Sequence, residues 1–352
     1  MDHDDPLRAF VRALPKAELH VHLEGSIPPE LALVLAARHG VRLPGGEGGV
    51  QGVRAAFRFV DFRRFIEVYL ALSRCLRTVT DVREVVVALA ERVAAQGVVH
   101  AEVTFTPMTH MTRGVPADAL IEGLVEGRAR AAELGVSLMF VPDIVRGFAD
   151  QAAPTLDFAL ALRRRDDGAV AGLGLAGPEG DEHPLGPVLD VFARARAEGL
   201  RSLPHAGEFL GPPSVRAAMD ELVADRIGHG VRVIEDATLV AELAARQIPL
   251  EVCPSSNVAL GVVAALGDHP LPRLIAAGVA VSLATDDPAL FGVDLVDEYL
   301  RCAGAFGWGA DELRGLAEAS LRHASAGPDD RAAWLAAAAA VPGPNRFIGD
   351  MP

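Results

Sequence analysis

Four short runs of polar residues could together carry out metal-assisted hydrolysis: His20-Val21-His22, His205-Ala206-Gly207-Glu208, Gly228-His229-Gly230 and Thr285-Asp286-Asp287-Pro288. In an extended segment successive side chains point to opposite faces. His20 and His22 therefore share a face and can offer two imidazoles to one ion. Zinc takes imidazole and carboxylate ligands and keeps one position open for water when its site is catalytic. His20, His22, His205 and Asp286 supply that set. The ion brings the pKa of water towards neutrality, and His229 is the candidate base that completes deprotonation. Glu208, three residues beyond a ligand, is placed to donate a proton to a ring nitrogen of the substrate. Asp287 directly follows a ligand and should point away from it, towards substrate. Each run also has a plainer reading: His205 as a core histidine, His229 as a turn residue, Asp286-Asp287-Pro288 as a helix cap with proline at the first helical position. The coincidence of all four at strand ends favours the chemical one.

Those strand ends come from a repeated alternation of short β-rich runs with longer stretches of helical period, the pattern of βα units around a parallel sheet. Eight strands are expected, at 18–22, 98–106, 137–143, 169–175, 201–206, 226–229, 249–254 and 280–285. Eight such strands predict an α/β fold of the (β/α)8 TIM-barrel type, whose active sites form at the C-terminal ends of the strands. Helices are predicted at 28–39, opened by Pro28-Pro29 and followed by Gly40, and at 81–95, capped by Asp81 and followed by Gly97. Nearly eighty residues separate the first two strands, too many for one helix. Extra lid helices are expected there. Phe57, Phe59, Phe62, Phe65 and Tyr69 recur in this stretch at near-helical spacing, either as core or as a cover for substrate. The chain reads as one domain over 1–352, with loose termini at 1–12 and 342–352 and an Ala-rich helix at 332–340.

Composition narrows the partners. The chain has 352 residues, half of them apolar, and a formal charge of −14. A phosphate backbone needs a basic face, so no nucleic-acid partner is expected. No Gly-rich phosphate loop or Arg/Lys cluster is seen near a strand end, so phosphorylated substrates are expected to fail. Three dispersed cysteines suit a reducing compartment, and no export signal or membrane span is visible. A cytoplasmic enzyme acting on a small molecule is expected. Two motifs mislead. Gly172 to Gly177 matches G-x-G-x-x-G but leads into PEGDEHPLGP rather than a helix, and His100-Ala101-Glu102 matches half of a zinc-deaminase signature that lacks its P-C-x-x-C partner.

Taken in order and spacing, PKAELHVHLEGS, LAGPE, HAGE, RIGHG, EVCPSSN and TDDP resemble the adenosine deaminase family of the amidohydrolase superfamily, from about Leu14 to about Ala326. The resemblance implies one zinc per protomer on His20, His22, His205 and Asp286. It implies catalytic roles for Glu208, which protonates purine N1, for His229, which orients the attacking water, and for the ligand Asp286. Asp287 would meet N7, Gly177 would give its backbone N–H to N3, and His22, Phe62 and Phe65 would line the substrate side. A small-molecule purine and water are the implied partners, and a homo-oligomer is left open. Adenosine is the central expectation for the substrate. Leu283-Ala284 before the aspartates and Gly177-Pro178-Glu179 depart from the usual pattern, and other segments look closer to bacterial subgroups acting on 6-aminodeoxyfutalosine or free adenine. A different amidohydrolase reaction on the same barrel is the more distant alternative.

Overall fold

The computed structural model describes residues 5–58, 62–180 and 182–344, the side chain of Phe62 excepted. Eight strands alternate with helices: β1 Lys16–His22, β2 Val98–Phe105, β3 Ser137–Val145, β4 Gly172–Ala176, β5 Arg201–Ala206, β6 Ile227–His229, β7 Leu250–Val252 and β8 Val281–Leu283. They pair in parallel in the order β1 to β8. The ring closes where Val21 bridges Asp286, with His22 N–H donating to the Asp286 carbonyl at 2.8 Å and Asp286 N–H to the His20 carbonyl at 3.1 Å. This is the expected (β/α)8 barrel. All seven residues of β1 are buried, because the strand has helices on its outer face and packed side chains on its inner one.

The last three strands are shorter than the sequence suggested, at three residues each. His229, the last residue of β6, and Asp286, just beyond β8, adopt left-handed φ values of 59° and 64°. Such a conformation costs a non-glycine residue roughly 1–3 kcal/mol and concentrates at functional sites. Two of the four described non-glycine residues in that region are thus site candidates.

Between β1 and β2 the chain forms helices Pro29–His39, Gly49–Ala56, Phe62–Ser73 and Val79–Ala94. The first ends on Gly40 in the left-handed conformation, as expected. In the last, Thr78 rather than Asp81 is the cap. Asp81 is the third helical residue and completes a capping box with Thr78. The N-terminus needs a larger correction. Residues 6–12, expected to be loose, belong to helix Pro6–Ala13, capped by Asp5 and burying Phe10 and Val11. Lys16 fastens it, with Nζ donating to the carbonyls of Val11, Leu14 and Gln96 at 2.5–2.9 Å. Burial pushes Lys16 down to about 7, partly offset by Glu18. The C-terminal helix runs Pro328–Ala340, and the tail beyond 344 lies outside the described residues.

Inside the barrel, Arg226 donates to Glu102 Oε2 at 2.5 Å and to Glu251 Oε1 at 2.6 Å, and all three are buried. His100 Nε2 lies 3.3 Å from Glu102 Oε1, and Ser325 also donates to Glu102. The H-x-E pair is thus part of a buried charge network. Arg226→Met would leave two carboxylates buried without their cation, and is expected to destabilise the fold by about 3–5 kcal/mol. Equilibrium denaturation would check this, a loss below about 1 kcal/mol overturning it.

Candidate active site

The C-terminal ends of the strands bring five polar side chains from distant parts of the chain to one point. His20 and His22 come from β1, His205 from the end of β5, His229 from the end of β6, and Asp286 from just beyond β8. All five are at most 8% exposed. One potential ligand atom from each of His20, His205, His229 and Asp286 lies within 4.8 Å of the other three. His22 is outside that tight group, although its Nε2 is 3.3 Å from both His205 Nε2 and Asp286 Oδ1. The structure therefore gathers the whole expected ligand set and places His229 among it. Gly228 makes the approach possible, since a Cβ there would sit 2.7 Å from His20 Cε1.

Electrostatics at this point favour positive charge. Burial alone would depress His20, but hydrogen bonding and charge from Asp286 and Glu251 raise it to about 10. In the same way burial of His22 is outweighed by Asp287 and Asp286, and its pKa rises to about 9. Asp286 is held well below the usual carboxylate range, because His20 and His22 outweigh its burial. His229, by contrast, is driven down to about 3, chiefly by burial.

The donor set suits a divalent ion on a direct observation. His20 Nδ1 is fixed by Glu251 Oε2 at 2.8 Å, which leaves Nε2 buried and facing the cluster, with only Asp286 Oδ1 near it at 3.5 Å, beyond an ordinary hydrogen bond. A carboxylate holding the far nitrogen of a ligating imidazole is the usual support of such a site. Asp286 is steadied likewise by Ser256 Oγ at 2.6 Å. Asn257 bridges His229 Nδ1 and His269 Nε2 at 3.3 and 3.1 Å. Sequence reasoning passed over Glu251, Ser256 and Asn257, although EVCPSSN carries all three.

Above the cluster opens a cavity of about 690 Å³. Glu208, Asp287 and Gly177 line it, as do Phe65 and Tyr69 from helix Phe62–Ser73. Glu208 Oε2 lies 3.7 Å from His229 Nε2, and Oε1 is buried without a partner. Burial raises Glu208 well above the usual range, and Asp286 and Glu179 add to it. Glu179, in the departing Gly-Pro-Glu segment, accepts from the backbone N–H groups of Gly207, Glu208 and Phe209 at 2.9–3.2 Å. It fixes the turn that presents Glu208. Asp287 Oδ1 is also buried and unpartnered, and Gly25 must lack a side chain because a Cβ there would overlap it. Phe65 is 7% exposed and stacks on Phe291 with centroids 5.7 Å apart. The Phe62 side chain, expected in the same wall, lies outside the described residues.

Two features of this wall differ from expectation. Arg113 and Arg146 line the cavity although no Arg/Lys cluster was expected near a strand end; Arg146 donates to the carbonyls of Gly177 and His205. Asp143, the last residue of an expected strand, also lines it and had drawn no notice. Gly172 to Gly177 forms β4 and its exit, and the next helix begins only at Gly186, which leaves no dinucleotide cradle. No helix among the described residues is long and apolar enough to cross a membrane.

The family model for adenosine deaminase matches residues 15–340. An adenine deaminase of Rhodospirillum rubrum is 41% identical over 95% of this chain and 98% of its own length. An aminodeoxyfutalosine deaminase of Streptomyces coelicolor is 42% identical over 90% of this chain and 81% of its own. A crystal structure of an amidohydrolase from Burkholderia ambifaria with bound Zn superposes with a TM-score of 0.86 at 29% identity, covering 96% of this chain and 93% of that one.

Proposed function

This chain belongs to the adenosine deaminase family and is a purine deaminase, and on that premise we propose that it hydrolyses free adenine to hypoxanthine and ammonia with one zinc per protomer. His20, His22, His205 and Asp286 would hold the ion, which when bound supplies a Lewis acid that makes water acidic enough to be a nucleophile near neutral pH. The chain's own groups do the rest. His229 orients the attacking water and takes its proton. As the C6–O bond forms, Glu208 gives a proton to N1, so that the ring nitrogen does not carry the displaced electron pair as an anion. The C6–N bond then breaks, with the proton held at His229 going to the departing amine and the C6 hydroxyl proton returning to Glu208 as the C6 carbonyl forms. Asp287, its acidity weakened by burial and by Asp286, reaches N7 as a hydrogen-bond donor. The Gly177 N–H meets N3.

The observation that carries deamination is Glu208: a buried carboxyl with a free oxygen, beside a cluster suited to a metal and aimed into the cavity. Adenine replaces adenosine as the favoured substrate because a relative matched over 98% of its own length is an adenine deaminase. Aminodeoxyfutalosine is the second reading. A cavity of about 690 Å³, reaching out to Met108, Arg113 and Phe148, has room well beyond a purine base.

Ammonia release from adenine, adenosine, aminodeoxyfutalosine and AMP under one condition tests the reading. Adenine should exceed adenosine in kcat/KM by at least about tenfold, the least that one well-placed contact provides. A larger kcat/KM for any of the other three would overturn the assignment.

A further inference from the structure

Asp143 lies near the C-terminal end of β3 with its side chain in the cavity wall, only 1% exposed. Neither carboxylate oxygen receives a hydrogen bond of ordinary geometry, although the Thr106 hydroxyl is near. A buried carboxylate without partners is expensive to maintain, and one that persists in a substrate cavity needs a donor from elsewhere. Its place is fixed by packing. Asp143 pairs in register with Gly174 of β4, and a Cβ on Gly174 would stand 2.9 Å from that of Asp143, so the glycine leaves room for the Asp143 side chain to leave the strand at this point.

The circular order of the barrel shows which substrate atom it faces. The assignment of the base above puts N1 against Glu208 after β5, N3 against Gly177 after β4, and N7 against Asp287 after β8. From N1 through N3 to N7, the purine perimeter passes N9 and C8. From β5 through β4 to β8, the barrel passes β3, β2 and β1. The two sequences run the same way round, so N9, next after N3, faces β3. Free adenine in its 9H form carries an N–H at N9. A nucleoside carries a glycosidic carbon there and has no proton to give.

We propose that Asp143 accepts the N9–H of free adenine and is the substrate-binding residue by which the site selects a 6-aminopurine base over its N9-substituted forms. The proposal rests on the adenine reading of the site. It also accounts for a carboxylate where a nucleoside-binding pocket would need no acceptor for a ring N–H.

The test compares adenine with 9-methyladenine, which differs at that one position, in the zinc-loaded wild-type protein, Asp143→Ala and Asp143→Asn. Wild type should favour adenine in kcat/KM by at least about 100-fold, since sites built to bond a substrate N–H reject analogues lacking it strongly. Asp143→Ala should lower kcat/KM for adenine by about 100-fold and that for 9-methyladenine by less than about threefold, collapsing the selectivity. Asp143→Asn, which keeps a carbonyl acceptor, should retain much of the preference. Zinc content and melting temperature report whether each variant is folded. If wild type used both substrates within about threefold, or if Asp143→Ala slowed both equally or neither, the inference would fail while the adenine reading stood. Should wild type turn over a nucleoside and leave adenine untouched, the adenine reading would fail and take the inference with it. The wild-type comparison decides even if a variant does not fold.

Discussion

Glu208→Gln is expected to lower turnover by at least about a hundredfold while metal content stays at the wild-type level. The structure separates these two effects. Glu208 is not among the four residues whose ligand atoms lie within 4.8 Å of one another, yet its Oε2 is 3.7 Å from His229 Nε2. Its backbone is locked by Glu179, so the substitution changes the side-chain terminus without moving the turn. Burial, with Asp286 and Glu179 adding to it, raises the carboxyl's pKa, so the neutral, proton-carrying form is favoured at a pH where an exposed glutamate would be ionised. That form can protonate a ring nitrogen. Glutamine keeps the shape and a hydrogen-bonding N–H but cannot release a proton at that acidity. Metal analysis and steady-state kinetics on the same preparation give the answer. Loss of metal, or turnover within about threefold of wild type, would show that Glu208 is not the proton donor.

Removing two ligands should have the larger effect still. The double replacement His20→Ala, His22→Ala is expected to bind less than about a tenth of the wild-type metal and to show no measurable deamination, because the ion generates the nucleophile. Chelation of the wild-type protein should abolish activity in the same way. The argument rests on how completely the fold prepares these imidazoles. Glu251 fixes His20 through Nδ1, and Arg226 anchors Glu251 in turn at 2.6 Å, so Nε2 is presented by a chain of buried contacts. Asp286 lies 3.5 Å from His20 Nε2 and 3.3 Å from His22 Nε2, bringing negative charge to the same point. A double variant with full metal content and full turnover, by elemental analysis and ammonia assay, would sink the ligand set and move attention to His205, His229 and Asp286.

The sequence by itself determined the barrel and the residue types of its centre. Both are written locally. The period of two places His20 and His22 on one face of β1, and each of HAGE, GHG and TDDP falls at the end of a strand that its own apolar run predicts. Strand ends of a (β/α)8 fold converge by topology, so no distance had to be known for those residues to meet. The tertiary structure alone decided what depends on contacts between distant segments. That His20 leans on Glu251, 231 positions away, and that Glu179 holds the turn at Glu208 follow from packing across the barrel. Left-handed backbone at His229 and Asp286 is equally unreadable, because neither residue type announces it as glycine would. The helix at Pro6–Ala13 has a local start signal in Asp5 and Pro6, but its docking through Lys16, which reaches the carbonyls of Val11 and Leu14, is seen only in the structure. Substrate choice falls on the same side. Asp143 looks like any polar residue at a strand end until Gly174 opposite it, the cavity in front of it and the order of the strands around the base are seen together.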